Sequence, residues 1–113
     1  MKVTLIPSNE FSRQFKRLAK KYKTFGEDYL NLKKDLLENP FRGDDLGGGV
    51  RKIRMAISSK GKGKRGGARI LTLNVLVSDD ANVTLLTIYD KNEIDNVSDQ
   101  YIMWLVKQCG PKK

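Results

Sequence analysis

The hydrophobic period of the chain changes around Asn39-Pro40, and this change limits the fold that the chain can adopt. Before it, apolar residues recur mainly at helical spacing, whereas after it they alternate with polar residues as they do in strands. The helical part ends at Asn39 because a proline disfavours helix in the residue before it. Helices grouped before consecutive strands are typical of an α+β fold with a mainly antiparallel sheet.

The first part of the chain is predicted to form a short strand and a helix hairpin. Residues 2–6 alternate as in a strand and stop at Pro7, after which Ser8 or Asn9 can cap a helix. One face of that helix is apolar and consists of Phe11, Phe15, Leu18, Ala19 and Tyr22. A second amphipathic helix follows after a few residues and ends at Asn39, so the two helices form an antiparallel hairpin.

The second part of the chain is predicted to form a strand meander and a last helix. Three segments are predicted strands: 50–58, 69–77 and 82–89. Residues 42–49 are expected to be a polar, Gly-rich connection, and the Gly-Lys repeat within 59–67 is expected to be mobile. A helix over 100–108 is closed by Gly110-Pro111. The predicted order is β-α-α-β-β-β-α, with a helix hairpin packed on a small, mainly antiparallel sheet in a single domain, 1–113.

Basic residues are concentrated in the segment 46–78, which contains no acidic residue. Eight of the 22 basic residues lie in it: Arg51, Lys52, Arg54, Lys60, Lys62, Lys64, Arg65 and Arg69. The rest of the chain holds 14 basic and 13 acidic residues. Such concentrated charge on a folded scaffold indicates a polyanionic partner, with nucleic acid the first to consider. A solvated basic loop without function is the alternative.

Several classes of function are excluded by composition. A single cysteine, Cys109, and the absence of histidine leave no disulfide and no credible zinc or redox site, so we expect no metal and no cofactor. No apolar run approaches the roughly 18 residues that a membrane helix needs. The N-terminus lacks the features of a secretion signal. We therefore expect a cytoplasmic protein without a membrane partner.

The candidate chemistry depends on cations that neighbouring strands could bring together. Lys52 and Arg54 are two residues apart on one strand, Arg69 opens the next, and Lys91 follows the third. Arginine matches phosphate oxygens with a planar fork, and a lysine crowded by other cations can exchange a proton near neutral pH. RNA carries its own nucleophile, the 2′-hydroxyl, so its cleavage requires no metal. Spacing alone does not separate cleavage from plain phosphate binding.

Four segments of the chain resemble a known family: FSRQFKRL at 11–18, VRKIRM at 50–55, GKGKRGGAR at 61–69 and LLTIYDKNE at 85–93. They are similar to RelE/ParE-superfamily toxins of type II toxin–antitoxin systems, and most similar to the RelE/HigB-like branch. The resemblance implies a RelE-like α+β fold and a ribosome-dependent endoribonuclease, an mRNA interferase that acts on messenger RNA and contacts ribosomal RNA. It also implies a cognate antitoxin, which we expect to be of the helix-turn-helix type.

The resemblance further implies residue roles. Lys52, Arg54, Arg69 and Lys91 occupy the catalytic positions, and Lys52 is the better base because arginine stays protonated. The residues expected to bind RNA are Arg51, Lys60, Lys62, Lys64, Arg65, Arg17, Lys20 and Tyr89, the last by stacking on a base. Two other functions stay open, namely a non-enzymatic ParE-like inhibitor of DNA gyrase and a plain nucleic-acid-binding protein.

Overall fold

The computed structural model describes residues 1–109, which form three helices and one five-stranded sheet. The elements are β1 Val3–Pro7, α1 Asn9–Lys21, α2 Phe25–Glu38, β2 Asp44–Gly47, β3 Val50–Met55, β4 Ala68–Val77, β5 Asp80–Asp90 and α3 Asp99–Cys109. A short 3-10 turn, Ser58–Lys60, follows β3. The predicted end of the last helix at Gly110-Pro111 lies outside the described residues. No helix within residues 1–109 combines the length and apolarity needed to cross a membrane.

The sheet has the strand order β1-β5-β4-β3-β2. The three pairs from β2 to β5 are antiparallel, and β1 pairs in parallel with β5. This arrangement confirms the predicted α+β class with a mainly antiparallel sheet. The parallel pair follows from the helix hairpin, which carries the chain away from β1 before the meander begins.

The expectation that residues 42–49 form only a connection is wrong, because β2 lies within them and pairs with β3. Its residues are polar or glycine apart from Leu46, so no hydrophobic alternation reveals the strand. Side chains of β3 hold it instead. Arg54 forms an ion pair with Asp44, and Arg51 donates to the backbone carbonyls of Arg42 and Gly43.

The two faces of the sheet carry different layers. On the face that we call the hairpin face, α1 and α2 cover alternate strand residues that include Ile53, Met55 and Ile70. The Ser8 hydroxyl accepts a hydrogen bond from the Phe11 N–H at 3.0 Å and so caps α1 as expected. On the opposite face, α3 places Leu105 over a second apolar cluster. The register of the strands therefore decides which layer each side chain joins.

Candidate nucleic-acid interface

Basic side chains of neighbouring strands meet on the face of the sheet that α3 partly covers, which we call the cation face. Arg54 of β3 is the direct partner of Arg69 on β4, and Arg69 is in turn the partner of Tyr89 on β5. Lys52 lies on the same face as Arg54 because side chains alternate along a strand. Burial lowers the pKa of Arg69, and the charge of Arg54 lowers it further. Three of the four predicted catalytic cations thus lie close together.

Arg69 is almost completely buried, with 5% of its surface exposed. Its guanidinium donates to the backbone carbonyls of Lys64 at 2.8 Å, Arg65 at 3.1 Å and Ala68 at 3.1 Å. Hydrogen bonds from a charged donor to buried acceptors are stronger than neutral ones. Arg69 therefore holds the preceding loop in place, and in this arrangement its fork is not open to a phosphate as the sequence had led us to expect.

Arg54 and Lys91 form ion pairs near the surface. Arg54 contacts Asp44 at 3.1 Å, and Lys91 contacts the Asp95 carboxylate at 3.1 Å. Exposed pairs of this kind stabilise a protein by about 0–1 kcal/mol, so a phosphate can replace the carboxylate at little cost. The Lys91 backbone N–H donates to the Gly67 carbonyl, which places Lys91 beside the start of β4.

Lys52 differs from the other three cations because it is half-buried and, within residues 1–109, its side chain forms no ion pair or hydrogen bond, although Asp44 lies opposite it in the register of β2 and β3. Within residues 1–109, no carboxylate oxygen lies within 4 Å of its ammonium nitrogen. It borders a groove of about 660 Å³ between α3 and the β2–β3 edge of the sheet. The groove has an apolar lining that includes Leu46, Val50, Val97, Ile102, Met103 and Val106. An amine therefore lies at the border of an apolar groove on the cation face.

The segment 59–67, which we call the basic loop, presents Lys62, Lys64 and Arg65 to solvent. No ion pair involves these three side chains in the described part of the chain. The loop is held internally, since the Gly67 N–H donates to the Lys64 carbonyl at 3.3 Å. Together with the bonds from Arg69, this contact argues against the expected mobile loop. Three cations therefore extend from a hydrogen-bonded backbone.

A family model described as the RelE toxin of the RelE / RelB toxin–antitoxin system matches residues 11–110. The chain belongs to the RelE toxin family. It is therefore a toxin of a toxin–antitoxin system, and its family implies a cognate antitoxin as partner. The match confirms the predicted superfamily, while the assignment to a HigB-like branch stays a prediction.

In this RelE-family structure, three residues predicted to bind RNA have other contacts. Lys60 has a side chain only 9% exposed that pairs with the buried Asp90. Tyr89 is 3% exposed, so its ring offers no surface on which a base could stack, and burial raises the pKa of its hydroxyl. Arg51 lies on the face opposite Arg54 and donates to two backbone carbonyls before β2. In this arrangement packing and internal hydrogen bonds engage these three groups, and their roles in RNA binding stay predictions.

The two cations predicted on the first helix remain on its surface. Arg17 forms a two-pronged ion pair with Glu93, whose hydrogen bond raises the pKa of the guanidinium. Lys20 is exposed one residue from the end of α1. Both are accessible to a polyanion, although Arg17 must exchange its carboxylate partner first.

Two acidic residues that pair with the predicted cations were not singled out from the sequence of this RelE-family toxin. Asp44 pairs with Arg54 from a strand that has no hydrophobic signal. Asp90 is fully buried at the end of β5 and pairs with Lys60. A signal for Asp90 does exist, since it directly follows the largely apolar run 85–89, where a charge needs a partner.

Proposed function

We propose that this RelE-family toxin is a ribosome-dependent endoribonuclease that cleaves messenger RNA in the cytoplasm. The observation that carries the proposal is the grouping of Lys52, Arg54 and Arg69 on one face of the sheet, next to a loop of exposed cations. Toxins of this family are generally endoribonucleases, which agrees with the grouping. Clustered cations can bind an RNA backbone and stabilise the charge that develops on a reacting phosphate.

The proposed reaction uses the 2′-hydroxyl of the RNA as its nucleophile. Lys52 in its neutral form takes the 2′-hydroxyl proton, the 2′-oxygen attacks phosphorus, and the bond from phosphorus to the 5′-oxygen breaks. The leaving 5′-oxygen takes up a proton from water, so the products end in a 2′,3′-cyclic phosphate and a 5′-hydroxyl. Arg54 is unsuited to the role of base because it stays protonated, and it is assigned with Lys91 to the phosphate oxygens.

Partner exchange is part of this proposal. Arg54 and Lys91 leave Asp44 and Asp95 for the phosphate, which is feasible because both ion pairs are exposed. Arg69 can contact the phosphate only when the loop carbonyls release it, and otherwise it acts by holding the loop. The apolar groove beside Lys52 offers a place for a base of the bound message.

The exposed cations are assigned to the ribosome. Lys62, Lys64 and Arg65 on the basic loop, with Arg17 and Lys20 on α1, are proposed to contact ribosomal RNA phosphates. Such contacts release counterions, so binding should weaken steeply as salt is raised. A cognate antitoxin of the helix-turn-helix type would oppose this activity by covering the cation face.

One observation favours a second candidate, a nucleic-acid-binding protein without turnover. Three of the four cations assigned to catalysis already donate to protein acceptors: Arg54 and Lys91 to carboxylates, and Arg69 to backbone carbonyls. Among the described residues 1–109, no such acceptor is found for the Lys52 side chain.

The test that separates the two candidates uses purified ribosomes carrying a short message. Wild-type protein is expected to cut the message and leave a cyclic phosphate end. A message with one 2′-deoxynucleotide at the cut position should bind equally and stay whole. Cleavage of that deoxy message would refute the 2′-hydroxyl mechanism, and binding of both messages without cleavage would favour the second candidate.

A further inference from the structure

A fully buried carboxylate lies at the end of β5, on the hairpin face, and the proposed reaction does not use it. Asp90 accepts hydrogen bonds from the Lys60 ammonium at 2.6 Å, the Tyr22 hydroxyl and the Asn92 N–H at 2.9 Å. The Lys21 ammonium approaches it to 4.0 Å. Burial tends to raise the pKa of Asp90, but these hydrogen bonds outweigh burial and hold the pKa below its usual value. Asp90 is therefore an ionised, well-satisfied group inside the protein.

Lys60 joins this carboxylate to the basic loop. Its ammonium also donates to the Gly66 carbonyl at 3.0 Å and lies 5.0 Å from the centre of the Tyr22 ring. One buried charge thus ties the start of the loop to its end and to the protein interior. Arg69 binds the Lys64 and Arg65 carbonyls from the opposite face of the sheet, so the loop is held from both faces.

The turn Ser58–Lys60, where the basic loop begins, is fixed independently. The N–H and hydroxyl of Ser58 both donate to Asp28 on α2, and the Ser59 N–H donates to the Thr24 hydroxyl at 2.9 Å. The backbone leading to Lys60 is therefore anchored on the helix hairpin. The remaining freedom of the loop lies in 61–67, which is the part that Lys60 closes.

We propose that Asp90 and Lys60 form a buried clamp that positions the basic loop and thereby sets its affinity for RNA phosphates. Lys60 is then a positioning residue, and the RNA contacts are made by Lys62, Lys64 and Arg65. A loop held in its binding conformation loses less conformational freedom when it binds, which strengthens the complex. The RNA part of this inference rests on the proposed function, whereas the holding of the loop does not.

The first test measures how often the loop opens. Trypsin cuts after Lys62, Lys64 and Arg65, and its rate in a native protein follows the population of open loop. The double variant Asp90→Asn/Lys60→Met removes both charges, keeps the net charge and leaves no unpaired buried ion. We expect it to be cut in the loop about tenfold faster than wild type while its thermal unfolding midpoint still shows a folded protein. The control Glu10→Gln/Arg13→Met removes an ion pair within α1, in which Arg13 is exposed and the Glu10 side chain is 11% exposed, and it should be cut at the wild-type rate.

Two results would overturn the clamp in this test. An equal rate of loop cleavage in wild type and the double variant would show that the pair does not hold the loop. If the double variant does not fold, Lys60→Gln is used instead, which keeps a hydrogen-bond donor next to Asp90. Faster loop cleavage is expected there as well, and an unchanged rate would contradict the clamp.

The second test measures affinity for single-stranded RNA in which every 2′-hydroxyl is methylated, so that it cannot be cut. The double variant is expected to bind about tenfold more weakly than wild type, because without the clamp the binding step must itself order the loop with its three long side chains. This loss should vanish when Lys62, Lys64 and Arg65 are all changed to Gln, since coupled residues are not additive. A loss of equal size in that background would show a merely structural role. If wild type does not bind the RNA at all, the proposed function fails, and the trypsin rates still decide whether the clamp exists.

Discussion

The loop cations and the strand cations of this toxin belong to the same basic segment, yet their surroundings differ. Lys62, Lys64 and Arg65 extend into solvent without ion pairs in the described residues. Arg54 is paired with Asp44, and Arg69 is buried under three backbone carbonyls. Charge alone therefore does not define the site, because the two groups must contribute to RNA binding in different ways.

The difference indicates that the loop cations and the strand cations have different roles. Exposed, unpaired cations attract an RNA backbone over a range set by ionic strength and without regard to sequence. Cations fixed on a sheet at known register provide donors at defined positions, which stabilises a transition state more effectively than mobile charges do. Removing strand cations should therefore reduce the cleavage rate, and removing loop cations should reduce affinity.

The largest effect is expected for Arg69→Ala. The loop carbonyls lose a buried charged donor, so the free energy of unfolding should fall by about 2–4 kcal/mol. Cleavage should fall as well, because Arg69 holds the loop carbonyls beside the cation face. Urea unfolding and ribosome-dependent cleavage measure the two effects. Arg65→Ala is the control and is expected to change the free energy of unfolding by less than about 0.5 kcal/mol. An equally small change for Arg69→Ala would contradict the difference between loop and strand cations.

Lys52→Met should give the next largest effect and sharpen the contrast further. Loss of a general base lowers rates by about 100-fold or more, while affinity for the message should change little. Single-turnover cleavage at saturating ribosome concentration measures the rate, with Lys62→Met as the matched control. If the control loses as much rate as Lys52→Met, the two groups do not differ in role.

Replacing Lys62, Lys64 and Arg65 by Gln should change affinity and its salt dependence, with the rate at saturation kept. Each lost contact to a single-stranded phosphate makes the slope of log K against log salt shallower by about 0.7, so three contacts should change it by about 2. Binding of uncleavable RNA between low and moderate salt measures this slope. An unchanged slope would mean that the loop does not bind phosphate.

The part of the fold that the sequence predicts is the part that local patterns encode. Alternation in β3 placed Ile53 and Met55 on one face and Lys52 and Arg54 on the other, as observed. The strand β2 could not be predicted because Asp44–Gly47 is held by side chains of β3 and lacks a hydrophobic pattern of its own.

The sequence could not predict the surroundings of a side chain where long-range contacts decide them. Lys60 and Asp90 are thirty residues apart and meet only through the pairing of β4 with β5. Arg69 is buried because the loop folds back over it. A count of charges treats these groups as equal to Lys62, and only the fold distinguishes them.

A smaller effect is expected from acid, and it concerns the buried anchor of the loop. Because hydrogen bonds, chiefly from Lys60 and Tyr22, hold the pKa of Asp90 below 3.8 despite burial, its stabilising effect is present above that value. It is lost as pH falls through the lowered pKa of the folded state. The difference in unfolding free energy between wild type and Asp90→Asn should therefore be constant near neutral pH and shrink below about pH 4. If the difference in unfolding free energy grows in acid, ionised Asp90 is not the group that stabilises the fold.

Asp44→Asn should have the smallest effect and act in the opposite direction. The exposed pair contributes less than about 1 kcal/mol, so stability should barely change. The freed Arg54 should strengthen RNA binding by about two- to threefold at low salt. Asp45→Asn makes the same change of charge beside Arg51 on the other face, at 3.9 Å. If both variants bind equally, net charge rather than the cation face determines affinity.

The central claim is that strand cations on one face of the sheet cleave translated messages. The most direct test of this claim is to map the 5′ ends of transcripts in growing cells after induction. Wild type should arrest growth and produce cuts within translated codons, whereas Lys52→Met should leave transcripts whole. Growth arrest by both proteins with whole transcripts would contradict the account, and defects in DNA supercoiling in those cells would identify gyrase inhibition instead.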